Sequence, residues 1–213
     1  MRNIPMFVTE NGAASLTLDQ IPYQNAAYVH IMRSVDPEAF LQECCDFCRA
    51  AGAKTVYAWG DPVVEKYPFY TSLLLFAGKK CLIQDTEFVA ELVRDEDLEN
   101  WRRLYNEGMA GVAGAAYMTV QKARQYWKNG SAYLVRDPEG DLCGIGIVEK
   151  DTVGAVVSLY HGMGGDIFAA LCQHIPTEQI RVEVASTNER AVRLYCHQGM
   201  ECIGELSRLH KII

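Results

Sequence analysis

Apolar and polar positions along the chain mark a series of short strands interrupted by helices. Pro5–Glu10 and Ala13–Leu18 flank Asn11-Gly12, whose two residues tolerate positive φ, and this predicts a hairpin. Ala26–Met32 reads as a further apolar strand. Asp36-Pro37 then opens a helix, with Asp as N-cap and Pro at the first helical position. Within that helix Leu41, Cys44, Cys45 and Cys48 fall at i, i+3, i+4 and i+7, the spacing of a buried stripe, until Gly52 stops it. Thr55–Trp59 predicts a strand, Pro62–Ala77 a segment helical in parts and broken near Pro68, and Lys80–Ile83 another strand.

The order then restarts. Glu87–Arg94 reads as a strand, and Glu96–Gly108 and Val120–Lys128 as helices. Ala132–Arg136 and Leu142–Glu149 form a second hairpin around Pro138-Glu139-Gly140. Thr152–Leu159 is a strand that runs through a glycine cluster into the helix Ile167–Ile175. Ile180–Ala185 is a strand. Ser186 and Glu189 have capping-box spacing, which predicts a helix from about Thr187 to Gln198. Met200–His210 holds the last strand. An offset of 128 places Phe40 and Cys44 on Phe168 and Cys172. One of 126 places Thr55–Trp59 on Arg181–Ala185, and one of 121 places Gly78 and Cys81 on Gly199 and Cys202. The shared order of hairpin, strand, helix and strand reads as a partial copy followed by a complete one, with residues 1–85 and 86–213 as the two domains.

Composition narrows the function. The 213 residues are 49% hydrophobic and carry a net charge of −7. A disordered chain is excluded by the apolar content. Nucleic-acid binding is disfavoured, because phosphate contacts need clustered cations that a net acidic chain does not supply. The acidic excess allows an amine substrate. No stretch is long and apolar enough for a signal peptide or a membrane span, so the expected compartment is the cytoplasm. The eight cysteines hold one C-x-x-C, Cys45 to Cys48, but no second pair completes a zinc site. They read as small buried hydrophobes rather than redox or metal groups.

Two segments carry chemistry. In the first, the strand around Val156 and Ser158 enters His161-Gly162-Met163-Gly164-Gly165-Asp166 and then a helix, which turns backbone N–H groups toward an anion. The second is Asn188-Glu189-Arg190-Ala191-Val192-Arg193-Leu194-Tyr195-Cys196-His197-Gln198-Gly199-Met200. Together they resemble the GNAT N-acetyltransferase superfamily. The second segment matches that family's Asn-x-x-Ala-x-x-Leu-Tyr-x-x-x-Gly-Phe at every position except the last, where Met200 replaces Phe. The first is a degenerate form of Arg/Gln-x-x-Gly-x-Gly/Ala, with His161 in place of the Arg and Asp166 where Gly or Ala is usual.

The resemblance covers Glu87 to the C-terminus. It implies an α/β fold with a mixed, mostly antiparallel central sheet flanked by helices, preceded by an N-terminal half-repeat. It implies acetyl-CoA or CoA as cofactor, held by Val156, Ser158, His161, Gly162, Met163, Gly164, Gly165, Asp166, Asn188 and Tyr195. A small-molecule or peptide amine would be the acceptor. Tyr195 would protonate the departing thiolate. Glu149 is the candidate base, with Glu183 the other nearest carboxylate on the predicted strands, and either would as readily be a solvated strand residue. A carboxylate at Asp166 is expected to repel phosphate or to cap the helix itself. The first copy has no glycine at Arg33-Ser34-Val35-Asp36-Pro37, so no cofactor is expected there. Tyr117, Tyr126 and Trp127 would either shape the acceptor side or fill core. Two other readings stand beside an active enzyme. One is a non-catalytic ligand-binding or regulatory module. The other gives the N-terminal half an edge-covering role or one in homodimerisation.

Overall fold

Strands β1 (Met6–Thr9) and β2 (Gly12–Thr17) pair antiparallel with Thr9 opposite Gly12, so Glu10-Asn11 makes the two-residue loop. The computed structural model describes residues 6–213, and the predicted start of this hairpin at Pro5 lies outside them. Gly12 serves close approach rather than the turn, because a Cβ there would lie 2.7 Å from the Phe40 ring. A short helix, α1 (Ile21–Gln24), leads to β3 (Ala26–Ser34), which pairs antiparallel with β2. Helix α2 (Pro37–Ala50) opens on Asp36, whose Oδ1 accepts from the Ala39 N–H at 3.1 Å. Strand β4 (Thr55–Trp59) then lies parallel to β3, from Ala26↔Thr55 to His30↔Trp59.

The sequence reading fails at the next element. A 3-10 turn at Pro62–Lys66 gives way to an eleven-residue strand, β5 (Phe69–Lys79), where a partly helical segment was expected. The run Leu73-Leu74-Leu75-Phe76 has no 3.6 period, and such runs suit a buried strand as well as a helix. Lys80–Leu82 is a 3-10 turn, not a strand.

The remaining elements follow the predicted order. They are β6 (Val89–Leu92), α3 (Leu98–Gly108), α4 (Val120–Lys128), β7 (Ala132–Arg136), β8 (Leu142–Glu149) and β9 (Thr152–Ser158). After them come α5 (Gly164–Cys172), β10 (Gln179–Ala185), α6 (Glu189–His197) and β11 (Glu201–Lys211). Helix α6 begins two residues later than expected. Its N-cap is Asn188, whose side chain accepts from the Ala191 N–H at 3.2 Å, in place of Ser186.

The chain forms two compact units. The smaller holds the described residues up to Leu73 together with Glu205–Ile213; the larger is Leu74–Gly204. The division thus falls inside β5 and β11, and not at the boundary between 85 and 86 that the repeat suggested. In the smaller unit the strand order is β1-β2-β3-β4, followed by the end of β11 through His210↔Ala58. Helix α2 covers one face, where Phe40, Leu41, Cys44, Cys45 and Cys48 join Val29, Ile31 and Val56 in the core. The cysteine stripe is therefore buried, as its spacing predicts, as are Cys143 and Cys172, whereas Cys81, Cys196 and Cys202 are exposed, against the reading of the cysteines as buried hydrophobes.

In the larger unit the order is β5-β10-β9-β8-β7-β6, with β6 to β9 antiparallel and β9 parallel to β10. Helix α5 buries Ile167, Phe168 and Leu171 completely in one core cluster. Helices α3 and α4 bury Trp101, Leu104 and Ala123 in another. Each large side chain so buried contributes about 1.5–3 kcal/mol relative to exposure. The Trp101 indole N–H donates to the Tyr133 carbonyl at 3.1 Å, so the polar end of this core residue is also satisfied. Phe40 and Phe168 are both fully buried. The 121-residue offset does not hold, because Gly78 lies inside β5 whereas Gly199 follows α6. No helix among the described residues is long and apolar enough to cross a membrane.

Candidate functional site

The parallel pair β9 and β10 is joined at Arg181↔Thr152 and Val182↔Val153, at the start of β9. On its other side β9 stays paired with β8 as far as Gly144↔Ser158. Ala155–Ser158 therefore present one strand edge without a ladder partner. An open groove of about 560 Å³ begins there, lined by Val156, Val157 and Ser158. Gly108, at the end of α3, closes one wall. A Cβ on Gly108 would lie 2.2 Å from Val157 Cγ1, so only glycine lets the helix meet β9 this closely.

The floor leads to the turn before α5. Gly162 has φ +92°, a left-handed conformation that favours glycine. Met163 occupies the N-cap, and no side chain caps the helix. The first backbone bond of α5 runs from the Ile167 N–H to the Met163 carbonyl, so the N–H groups of Gly164 and Gly165 precede the helical ladder. His161, Gly162, Gly164 and Gly165 line the groove, whereas Met163 and Asp166 do not. Asp166 lies in a separate depression with Asp85, Thr86 and Glu87, where its Oδ1 accepts from Thr86 Oγ1 at 3.1 Å. It does not cap α5, contrary to the expectation from sequence.

The opposite wall is α6. Asn188, Arg190, Arg193, Tyr195 and His197 line it, and among the described residues no carboxylate lines the groove. Arg193 is held loosely by exposed Glu189 at 3.3 Å. Arg190 is exposed and forms no ion pair among the described residues. Tyr195 is buried between Phe168 and Phe76, with ring centroids 5.3 and 6.3 Å away. Burial pushes its phenol well above the ordinary value of 10.0, and neighbouring Cys172 adds to the shift. Its hydroxyl makes no hydrogen bond to another described residue, which leaves the proton available to a group in the groove.

The structure thus gathers Val156, Ser158, His161, Gly162, Gly164, Gly165, Asn188 and Tyr195 around one groove. Glu149 is not among them. It is exposed at the end of β8, opposite Thr152, six positions along β9 from Ser158 and so roughly 20 Å away. Exposed Glu183 is also absent from the lining. Tyr126 and Trp127 pack on the Trp101 cluster, and Tyr117 accepts from Arg102 at 3.3 Å; none of the three lines the groove. Arg190, Arg193 and His197 were missed as a group. Their i, i+3, i+7 spacing is a basic stripe beside the apolar one, and that pattern was visible in the sequence. No cluster of three or more metal-binding side chains exists among the described residues.

The corresponding strand–helix–strand of the smaller unit has no such groove geometry. There β3 and β4 stay paired over five positions, and Asp36 caps α2.

Solved structures share the overall fold that carries this groove. A GCN5-related N-acetyltransferase from Sphaerobacter thermophilus superposes with a TM-score of 0.62 at 15% identity, covering 93% of this chain and 75% of that one. The fold is that of the GNAT N-acetyltransferases. A functionally unknown conserved protein from Staphylococcus epidermidis shares it at a TM-score of 0.61 and 13% identity, covering 99% and 94% of the two chains. A tandem GNAT protein from the clavulanic acid biosynthesis pathway matches at 0.53 and 11%, covering 94% and 78%. No family model and no curated protein matches the sequence. In the GNAT fold described here, α6 carries the Asn188–Gly199 motif and α5 the glycine turn.

Proposed function

We propose that the chain is an acyl-CoA-dependent N-acyltransferase that moves an acetyl group to the amine of a small molecule or peptide. The observation that carries this reading is the groove between β9 and α6, which joins an unpaired strand edge, free helix N–H groups and a protonated tyrosine. Acetyl-CoA fits this donor set: it would supply the thioester acyl group. The edge of Ala155–Ser158 would hold the extended pantetheine by backbone hydrogen bonds and polarise the acyl carbonyl. The Gly164 and Gly165 N–H groups would receive pyrophosphate oxygens at the positive end of α5. Asn188, already engaged as N-cap, would fix the start of the α6 wall. Tyr195 would give its proton to the leaving sulfur, and its raised pKa keeps that proton in place at neutral pH.

No carboxylate stands in the groove to take the proton of the attacking amine, and this favours a second reading, a module that binds acyl-CoA without turnover. Two assays on the same preparation separate the readings. Thiol release from acetyl-CoA over a panel of aliphatic, aromatic and peptide amines above the buffer rate supports the enzyme. Binding of acetyl-CoA by calorimetry with no release over the whole panel supports the module.

A further inference from the structure

We propose that Arg190 and Arg193 bind the 3′-phosphate of the cofactor and make the groove prefer CoA to 3′-dephospho-CoA. This assignment rests on the reading of the groove as an acyl-CoA site. A Cβ placed on Gly164 would lie 3.5 Å from Leu194 Cδ2, so α6 packs directly beside the α5 N-terminus. Arg190 lies one helical turn before Leu194, and Arg193 is its neighbour in sequence. Both line the groove and both are exposed to solvent.

The charges divide accordingly. The pyrophosphate is a diester with one charge per phosphorus, and the backbone donors at Gly164 and Gly165 suit it. A terminal phosphate monoester carries close to two charges at neutral pH and requires fixed cations. Guanidinium forks match its oxygens in pairs. His161, at the start of the glycine turn, carries an imidazole and lacks the planar five-donor fork of either arginine. Among the described residues the one carboxylate paired with either arginine, Glu189, is exposed and reaches Arg193 at 3.3 Å; an anion can displace a contact of that strength.

Calorimetry on the full chain tests the assignment, with CoA and 3′-dephospho-CoA as the two ligands. The wild type should bind CoA roughly tenfold more tightly. Arg190→Ala/Arg193→Ala should bind both ligands equally, at the affinity of the wild type for 3′-dephospho-CoA. Arg190→Lys should retain part of the preference. These side chains are exposed, so circular dichroism should show an unchanged fold. An unchanged ratio in the double variant, or an equal loss for both ligands, overturns the assignment alone. Absence of binding by either ligand to the folded wild type overturns the groove reading and the assignment with it.

Discussion

Thr86 Oγ1 donates to Asp166 Oδ1 at 3.1 Å, across 80 positions of sequence. This bond holds the one carboxylate of the first turn of α5 in a depression outside the groove. Without it, Asp166 could swing toward the helix N-terminus, where it would cap the free N–H groups and compete with phosphate. Thr86→Val is therefore expected to weaken CoA binding about two- to fivefold. Adding Asp166→Ala, which removes the competing cap, should restore the affinity. Calorimetry at low ionic strength measures both; equal affinities for wild type and Thr86→Val would remove this role.

Tyr195 is the expected proton donor. Its hydroxyl has no partner among the described residues, so Tyr195→Phe leaves no orphaned group there and should cost little stability. It should lower kcat by about 10²-fold or more with little change in the Kd for CoA. Because burial raises its pKa, no loss of rate from its ionisation is expected below pH 10. Thiol release measured from pH 6 to 10 checks both statements.

The contact of Gly108 with Val157 sets the width of the groove. Gly108→Ala would force a methyl into a space only 2.2 Å from Val157 Cγ1. The expected cost is about 1–3 kcal/mol, with CoA affinity reduced as α3 is pushed from β9. Val157→Ala in the same chain should recover much of the loss. Urea denaturation of the two single variants and the pair measures this coupling.

Buried thiols should make the protein sensitive to alkali. Burial pushes Cys172 and Cys44 up to about 12 and Cys48 to about 11. A raised folded-state pKa means that the unfolded chain loses its proton first. Stability is then complete below the ordinary thiol value of 9.0 and falls as pH rises toward 11–12. For Cys172 the loss at pH 10 is about 1 kcal/mol. The urea midpoint should drop between pH 7.5 and 10, and Cys172→Ala should reduce that drop. An equal drop in wild type and variant would show that this thiol is not responsible.

Much of the fold could be read from local signals. Asp36-Pro37 marks the start of α2, the i, i+3, i+4, i+7 stripe marks its buried face, and the Asn188–Gly199 motif marks α6. What escaped was set by tertiary contact. Strand β5 looked partly helical because its apolar run has no period of its own, and its strand character comes from pairing within a sheet. The division of the chain inside β5 and β11 leaves no mark in composition. At the site, the turn and Tyr195 were legible, but the position of Asp166 depends on distant Thr86. Glu149 was a candidate as one of the nearest carboxylates on the predicted strands, but it pairs with Thr152 at the start of β9, whereas the groove opens at that strand's other end.

The division also bears on truncation. Residues from Leu74 onward in β5 belong to the larger unit, where Phe76 is buried beside Tyr195. Removing residues 1–84 deletes this strand and leaves β10 with an open edge. The fragment is expected to lose cooperative unfolding and CoA binding. A fragment that melts cooperatively and binds like the full chain would contradict this.

The most direct measurement of the central claim is a crystal structure of the full chain grown with CoA. The account predicts density for the ligand in the groove, its pantetheine along Ala155–Ser158, its pyrophosphate at the N–H groups of Gly164 and Gly165, and its sulfur within reach of the Tyr195 hydroxyl. Well-ordered protein with that groove empty at millimolar CoA, or with the ligand bound elsewhere, would contradict it.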